Sequence, residues 1–230
     1  MSNAVSALPE SAWNNLANLY AFAGNSFLSP MTRENAIGIT ANFWEAMPHF
    51  NNGIIQQAQT NLAEYANQAQ CELKQGANVI QKCAVEYTHL YIGPPRPAAP
   101  PWETMYMPGN ESIGFGAATV DMKRRIAAEG LTLGGVHNQY EDHIGIELLL
   151  LSVLCKKQAQ AKRSGVLPES TQGEEQLISY IKQRPGCWIG KFTAKTTLAA
   201  PSSYYALLAT WVQAVIGWHS KAIGNKPQNH

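Results

Sequence analysis

Apolar residues recur every three to four positions along almost the whole chain, and one proline-rich run breaks the series. Trp13, Leu16, Ala17, Tyr20 and Ala23 mark a first helix over 9–23, with Gly24-Asn25 as its expected end. Ile37, Ala41, Trp44 and Met47 mark a second over 32–47, capped by Thr32 and stopped by Pro48. Ile55, Ala58, Leu62, Tyr65, Ala66 and Ala69 form a third stripe, and Ile80, Cys83, Ala84, Tyr87, Leu90 and Tyr91 a fourth. No segment offers sustained period-two alternation between turn signals, so a sheet has no place to form. The expectation is an all-α fold, a single domain over 1–230 built as a bundle of about nine or more helices.

The break falls at 93–101, where five prolines leave few backbone donors and push their neighbours into extended geometry. Such a run is a stiff connector, and Trp102-Glu103-Thr104-Met105-Tyr106 follows it with two aromatics and an acid in five residues. Gly114 and Gly116 then precede a helix over 117–129. Next comes a polar turn, Asn138-Gln139-Tyr140-Glu141-Asp142-His143, which runs into the most apolar segment of the chain, 144–154. Asp142 is the expected N-cap of that helix, since a carboxylate accepts from orphan N–H groups and suits the positive end of the dipole. His143 and Glu147 lie four apart and so share a helical face. Ser170 and Thr171 with Glu174-Glu175 open a further helix that Pro185-Gly186 closes; Trp188 and Phe192 sit in a short one, and Ser202 caps the last.

Composition narrows the function. Charged residues make up 14% against a norm of about 25%, and the net charge is only +1, so no overall field draws nucleic acid or anionic lipid. The four cysteines, Cys71, Cys83, Cys155 and Cys187, show no C-x-x-C pair and no histidine at finger spacing, which argues against structural zinc and for reduced thiols. Residues 1–8 lack the basic flank and apolar run of a secretory signal, and no apolar stretch reaches the ~20 residues that span a bilayer. The expected location is the cytoplasm.

Two stretches in order carry a family likeness. Leu90-Tyr91-Ile92-Gly93-Pro94 leading to Pro100-Pro101-Trp102-Glu103-Thr104-Met105-Tyr106 is one, and Glu141-Asp142-His143-Ile144-Gly145 opening an apolar helix is the other. With the closing Trp188, Phe192 and Ser203-Tyr204-Tyr205-Ala206-Leu207-Leu208, the set resembles the TorD/DmsD family of maturation chaperones, the DmsD branch most, from about Tyr87 onward. That resemblance implies a non-enzymatic protein without a cofactor, with weak guanine-nucleotide binding as a family association only. It implies binding of the twin-arginine signal peptide of a molybdopterin oxidoreductase of the dimethyl sulfoxide reductase type. The precursor is held until cofactor insertion and then released for export, with translocase components as further partners and a monomer or weak homodimer as the working form. Carried over by position, the implied leader-binding residues are Asp142 and His143, faced by Trp102, Glu103 and Tyr106. Tyr140 stands where the family usually has proline. Physical reasoning adds Glu141, Tyr91 and Tyr140: guanidinium groups need carboxylates and aromatic faces, and an apolar helix needs a groove.

Three rival readings remain at this level. Asp142, His143 and Glu147 are the residues of a metal-dependent or acid–base enzyme, although no third strong ligand stands at metal spacing and no nucleophile motif accompanies them. A nucleotide-binding regulator would need a phosphate-cradling glycine motif, and Gly134-Gly135 is too short for one. A helical adaptor for a subunit without an exported leader is the third.

Overall fold

A computed structural model describes residues 8–93, 95–109, 115–134, 139–165 and 167–224, with side chains left aside over 167–171. Pro94, Gly114, Gly135 and Asn138, and the side chains of Ser170 and Thr171, therefore lie outside the described residues. Nine α-helices account for most of what is described: α1 (Glu10–Leu28), α2 (Ala41–Glu45), α3 (Gly53–Lys74), α4 (Val79–Tyr87), α5 (Ala117–Ala128), α6 (Ile144–Ser164), α7 (Leu167–Gln183), α8 (Pro185–Ala199) and α9 (Tyr204–Gly224). Short 3-10 turns occupy Ala36–Ile39 and Glu103–Tyr106, and a π turn occupies Thr88–Ile92. Among the described residues the only β pairing is an isolated bridge, so the all-α expectation holds.

The chain divides into two compact units. The first comprises Met1–Leu28, Trp102–Trp188 and Ile216–His230. Its centre is the crossing of α1 with α6. Gly24 was expected to end α1, yet the helix continues to Leu28, because the glycine serves a contact instead of a stop. A Cβ built on Gly24 would lie 2.8 Å from the Gly145 carbonyl oxygen, and one on Gly145 would lie 2.7 Å from that of Gly24. Neither position tolerates a side chain without parting the helices, and at this separation backbone packs on backbone. Ser152 Oγ donates to Ala17 O at 2.7 Å further along the same crossing. Trp13, Leu16 and Tyr20 of α1 and Leu148, Leu151 and Cys155 of α6 fill the core beside it.

The second unit comprises Ser29–Pro101 and Ile189–Val215. Here the expected helix over 32–47 is two short pieces, the turn Ala36–Ile39 and α2. Tyr204 accounts for the break: its hydroxyl would stand 2.1 Å from a Cβ on Gly38, and the Gly38 carbonyl turns away to accept from Trp44 Nε1 at 2.7 Å. Asn52 caps α3 by accepting from the backbone N–H of Ile54 and Ile55, and Asn78 caps α4 by accepting from Gln81. The cap of α9 is Ser203, one residue later than expected, whose Oγ accepts from Ala206 N at 3.2 Å. Aromatic rings dominate this core, with Trp44 edge-on to Trp211 at 5.1 Å and Tyr91 packed among Tyr87, Phe192 and Tyr205. All four cysteines are free, Cys83 and Cys155 buried and Cys71 and Cys187 exposed. No described helix is long and apolar enough to cross a membrane.

Candidate functional site

The strap 102–106 and the start of α6 lie side by side in the first unit. Trp102 and His143 form the isolated antiparallel bridge, Glu103 N donates to Asp142 O at 2.9 Å, and the Trp102 and His143 rings meet edge to face at 5.9 Å. The N-cap of α6 is His143 and not Asp142: its Nδ1 accepts from Gly145 N at 3.0 Å. That bond requires an unprotonated Nδ1. Asp142 is released from capping because better donors surround it. Its Oδ2 accepts from Thr104 N at 2.9 Å and Thr104 Oγ1 at 2.6 Å, and its Oδ1 accepts from Thr119 Oγ1 of α5 at 2.9 Å. One carboxylate thus ties the strap, α5 and the head of α6 together while fully shut from solvent.

Glu103 and Glu147 meet behind the strap, both buried. Glu103 Oε1 accepts from Arg184 Nη1 at 2.9 Å, and Arg184 Nε also donates to Asp121 Oδ2 at 2.9 Å, an acceptor shared with Arg125 Nε at 2.6 Å. Glu147 Oε2 accepts from Trp188 Nε1 at 3.0 Å. Burial, and then the neighbouring Glu103 carboxylate, push the Glu147 carboxyl well above its usual range; burial raises Glu103 as well, against the pull of Arg184. Tyr106 is buried with its ring 5.1 Å from that of Trp188.

Of the eight residues singled out from sequence, Trp102, Glu103, Tyr106, Tyr140, Glu141, Asp142 and His143 fall in this unit, while Tyr91 belongs to the core of the other. Solvent reaches Tyr140, 46% exposed, and Trp102 and Glu141, both half-buried. Glu141 has no ion pair among the described residues. Asp142, His143 and Glu147 bond to separate partners, and among the described residues no three histidine, cysteine, aspartate or glutamate side chains are grouped to hold a metal ion.

Sequence reasoning passed over the apolar surface next to this corner. Ile146, Leu149, Leu150 and Val153 form a stripe on α6 that floors a groove of about 240 Å³, walled by Leu28, Ile126 and residues 131–134. Among the described residues, the large apolar side chains exposed by this unit are Phe115, Val120, Leu131, Leu133 and Tyr140, all within 115–140. Phe115 and Tyr140 are edge to face at 5.9 Å. The i, i+3, i+4, i+7 spacing on α6 was legible, but helical spacing does not tell a filled core face from an open groove.

Residues 53–194 match the family model described as nitrate reductase delta subunit. The chain belongs to the nitrate reductase delta subunit family. Two curated relatives of this family member carry chaperone names. It is 23% identical over 145 residues to the chaperone protein TorD of Shewanella pealeana (strain ATCC 700345 / ANG-SQ1), covering 59% of each chain. It is 27% identical over 129 residues to the probable Tat proofreading chaperone DmsD of Haemophilus influenzae (strain ATCC 51907 / DSM 11121 / KW20 / Rd), covering 56% of each. The chain therefore spans under two thirds of the length of the curated relatives it matches. The likeness to the TorD/DmsD family is borne out. The family match begins at Gly53, well before the motifs that suggested it, and stops short of α9.

Proposed function

We propose that this chain is a cytoplasmic maturation chaperone for a molybdopterin oxidoreductase, of the dimethyl sulfoxide reductase type. It binds the twin-arginine leader of the precursor, holds it until the cofactor is inserted, and releases it for export. The family supports a chaperone role, and the observation that carries leader binding is the juxtaposition of an acid without an ion pair among the described residues and an open apolar groove. Glu141 stands five residues ahead of Ile146, the first residue of the α6 stripe, with Tyr140 and Trp102 beside it. A guanidinium pair fits the acid and the aromatic faces, and the following apolar segment fits the stripe as a helix in a groove. The stripe from Ile146 to Val153 is about 10 Å long, two turns of a bound helix. Asp142, His143 and Glu103 act on this reading as the frame that holds the corner. The chaperone reading is favoured over the enzyme reading because Asp142, His143 and Glu147 each bond to a separate partner within this frame.

Binding of a synthetic leader peptide, followed by fluorescence anisotropy, tests the proposal. Replacing the adjacent arginines by alanines should weaken binding by roughly tenfold or more, and Glu141→Gln should remove most of that difference. Equal binding with and without the arginines would overturn leader recognition.

A further inference from the structure

Two buried carboxyl groups meet at the back of the strap, and each has one oxygen without a donor among the described residues. These are Oε2 of Glu103, whose Oε1 is taken by Arg184, and Oε1 of Glu147, whose Oε2 is taken by Trp188. The two carboxyl groups lie close enough for each to perturb the other. Two neighbouring carboxylates would leave both oxygens bare and repel each other, whereas a carboxylic acid donates to a carboxylate and satisfies both. We propose that Glu103 and Glu147 share a single proton, and that this pair is a positioning device for the leader-binding strap, making the hold on the leader pH-dependent. The regulatory half rests on the leader-binding reading given above; the shared proton does not.

The charges facing the pair decide where the proton resides. From the segment after α7, Arg184 reaches Glu103 and is itself divided with Asp121 of α5, which also holds Arg125 and Arg124. From α6 and the turn before it come Glu147 and the Asp142 carboxylate. From α7, Tyr180 donates to the Glu147 backbone oxygen at 3.0 Å, and from α8 come the Cys187 thiol and the neutral Trp188 N–H. Among the described residues the one cation in direct contact with the pair is Arg184, on Glu103, so Glu103 is the carboxylate and Glu147 the acid that donates to it. The raised position of Glu147 agrees with this order.

Glu103 is the second residue of the strap and is flanked by Trp102, the half-exposed aromatic of the corner. While Glu147 is protonated, its O–H draws Glu103 and the strap inward. When the proton leaves, two negative charges face each other in a site shut from water, with one arginine already shared. The strap then loses a donor and gains a repulsion, and the inward position of Trp102 is disfavoured. Leader affinity falls as pH rises through the titration of the pair.

The full chain and two variants separate the possibilities. In Glu147→Gln the amide N–H donates to Glu103 and the amide oxygen accepts from Trp188, imitating the protonated acid; in Glu147→Leu neither bond exists. With a synthetic twin-arginine leader peptide as probe, wild-type affinity should fall severalfold as pH is raised through the titration of the pair, above the ordinary carboxyl range. Glu147→Gln should keep the low-pH affinity throughout, and Glu147→Leu should bind weakly at every pH. Infrared spectroscopy reads the proton without any leader: at neutral pH the wild type should show the carbonyl stretch of a buried carboxylic acid, absent in Glu147→Gln. A wild-type spectrum without that band, or one in which the band survives Glu147→Gln, overturns the shared proton. The band together with parallel pH profiles in wild type and Glu147→Gln overturns the positioning role. Failure of wild type to bind any leader, with the band present, overturns leader recognition and leaves the shared proton standing.

Discussion

Asp142 shows how the partners of one residue redirect its meaning. A helix-capping aspartate costs about 1 kcal/mol when replaced by alanine. This one accepts three hydrogen bonds from two threonines and has no solvent access, so Asp142→Ala strands Thr104 and Thr119 without an acceptor. The expected loss is about 3 kcal/mol, a fall of roughly 6–12 °C in the melting temperature of a chain this size, read by circular dichroism. Glu141, one residue earlier and half-exposed, should behave in the opposite way: Glu141→Gln leaves the melting temperature within about 2 °C while reducing leader affinity. If Glu141→Gln unfolded the protein and Asp142→Ala did not, the division of labour described for this corner would be reversed.

At the scale of elements, glycines that look alike in sequence do different things. Gly24 and Gly145 let α1 and α6 touch through their backbones, whereas a Cβ on Gly217 of α9 would meet nothing within 4 Å. Gly24→Ala therefore costs about 1–3 kcal/mol through overpacking. Gly217→Ala, at an exposed helical position, should stabilise by about 1 kcal/mol through helix propensity. Chemical denaturation of the two variants in parallel checks both signs. The cap of α6 is a related case. His143 takes the cap because Asp142 is drawn into the interior, and helix-start rules that weigh residue type alone favour the aspartate.

For the molecule as a whole, buried titratable groups shape the dependence of stability on pH from both sides. Burial pulls His219 down to about 3, with Tyr20 OH paired to its Nδ1 at 3.0 Å. In the unfolded chain an imidazole titrates near 6.5, so the unfolded state binds the extra proton, and stability drops as pH falls from about 6.5 towards 3. Glu147 acts on the other limb. Its folded carboxyl holds a proton above the unfolded range, so its contribution is complete below the unfolded value and lost as pH rises through the folded one. Melting temperatures measured from about pH 4 to about pH 9 should form a dome. His219→Gln, whose amide can still pair with Tyr20, should flatten the acid limb, and Glu147→Gln the alkaline limb.

The sequence by itself determined the helical class, the order of the segments and the family, because these depend on local spacing and on motifs that survive in linear order. The stripes at Ile55–Ala69 and Ile80–Tyr87, the extended run before Trp102 and the turn before α6 were all legible for that reason. Tertiary structure alone decided which acids face inward. Thr119 and Thr104 lie 23 and 38 residues from Asp142, and Glu147 lies 44 from Glu103, so no local rule connects them. The same holds for Gly24, Gly38 and the α6 stripe. Whether a glycine stops a helix or admits a neighbour, and whether an apolar face is filled or open, is fixed by what packs against it.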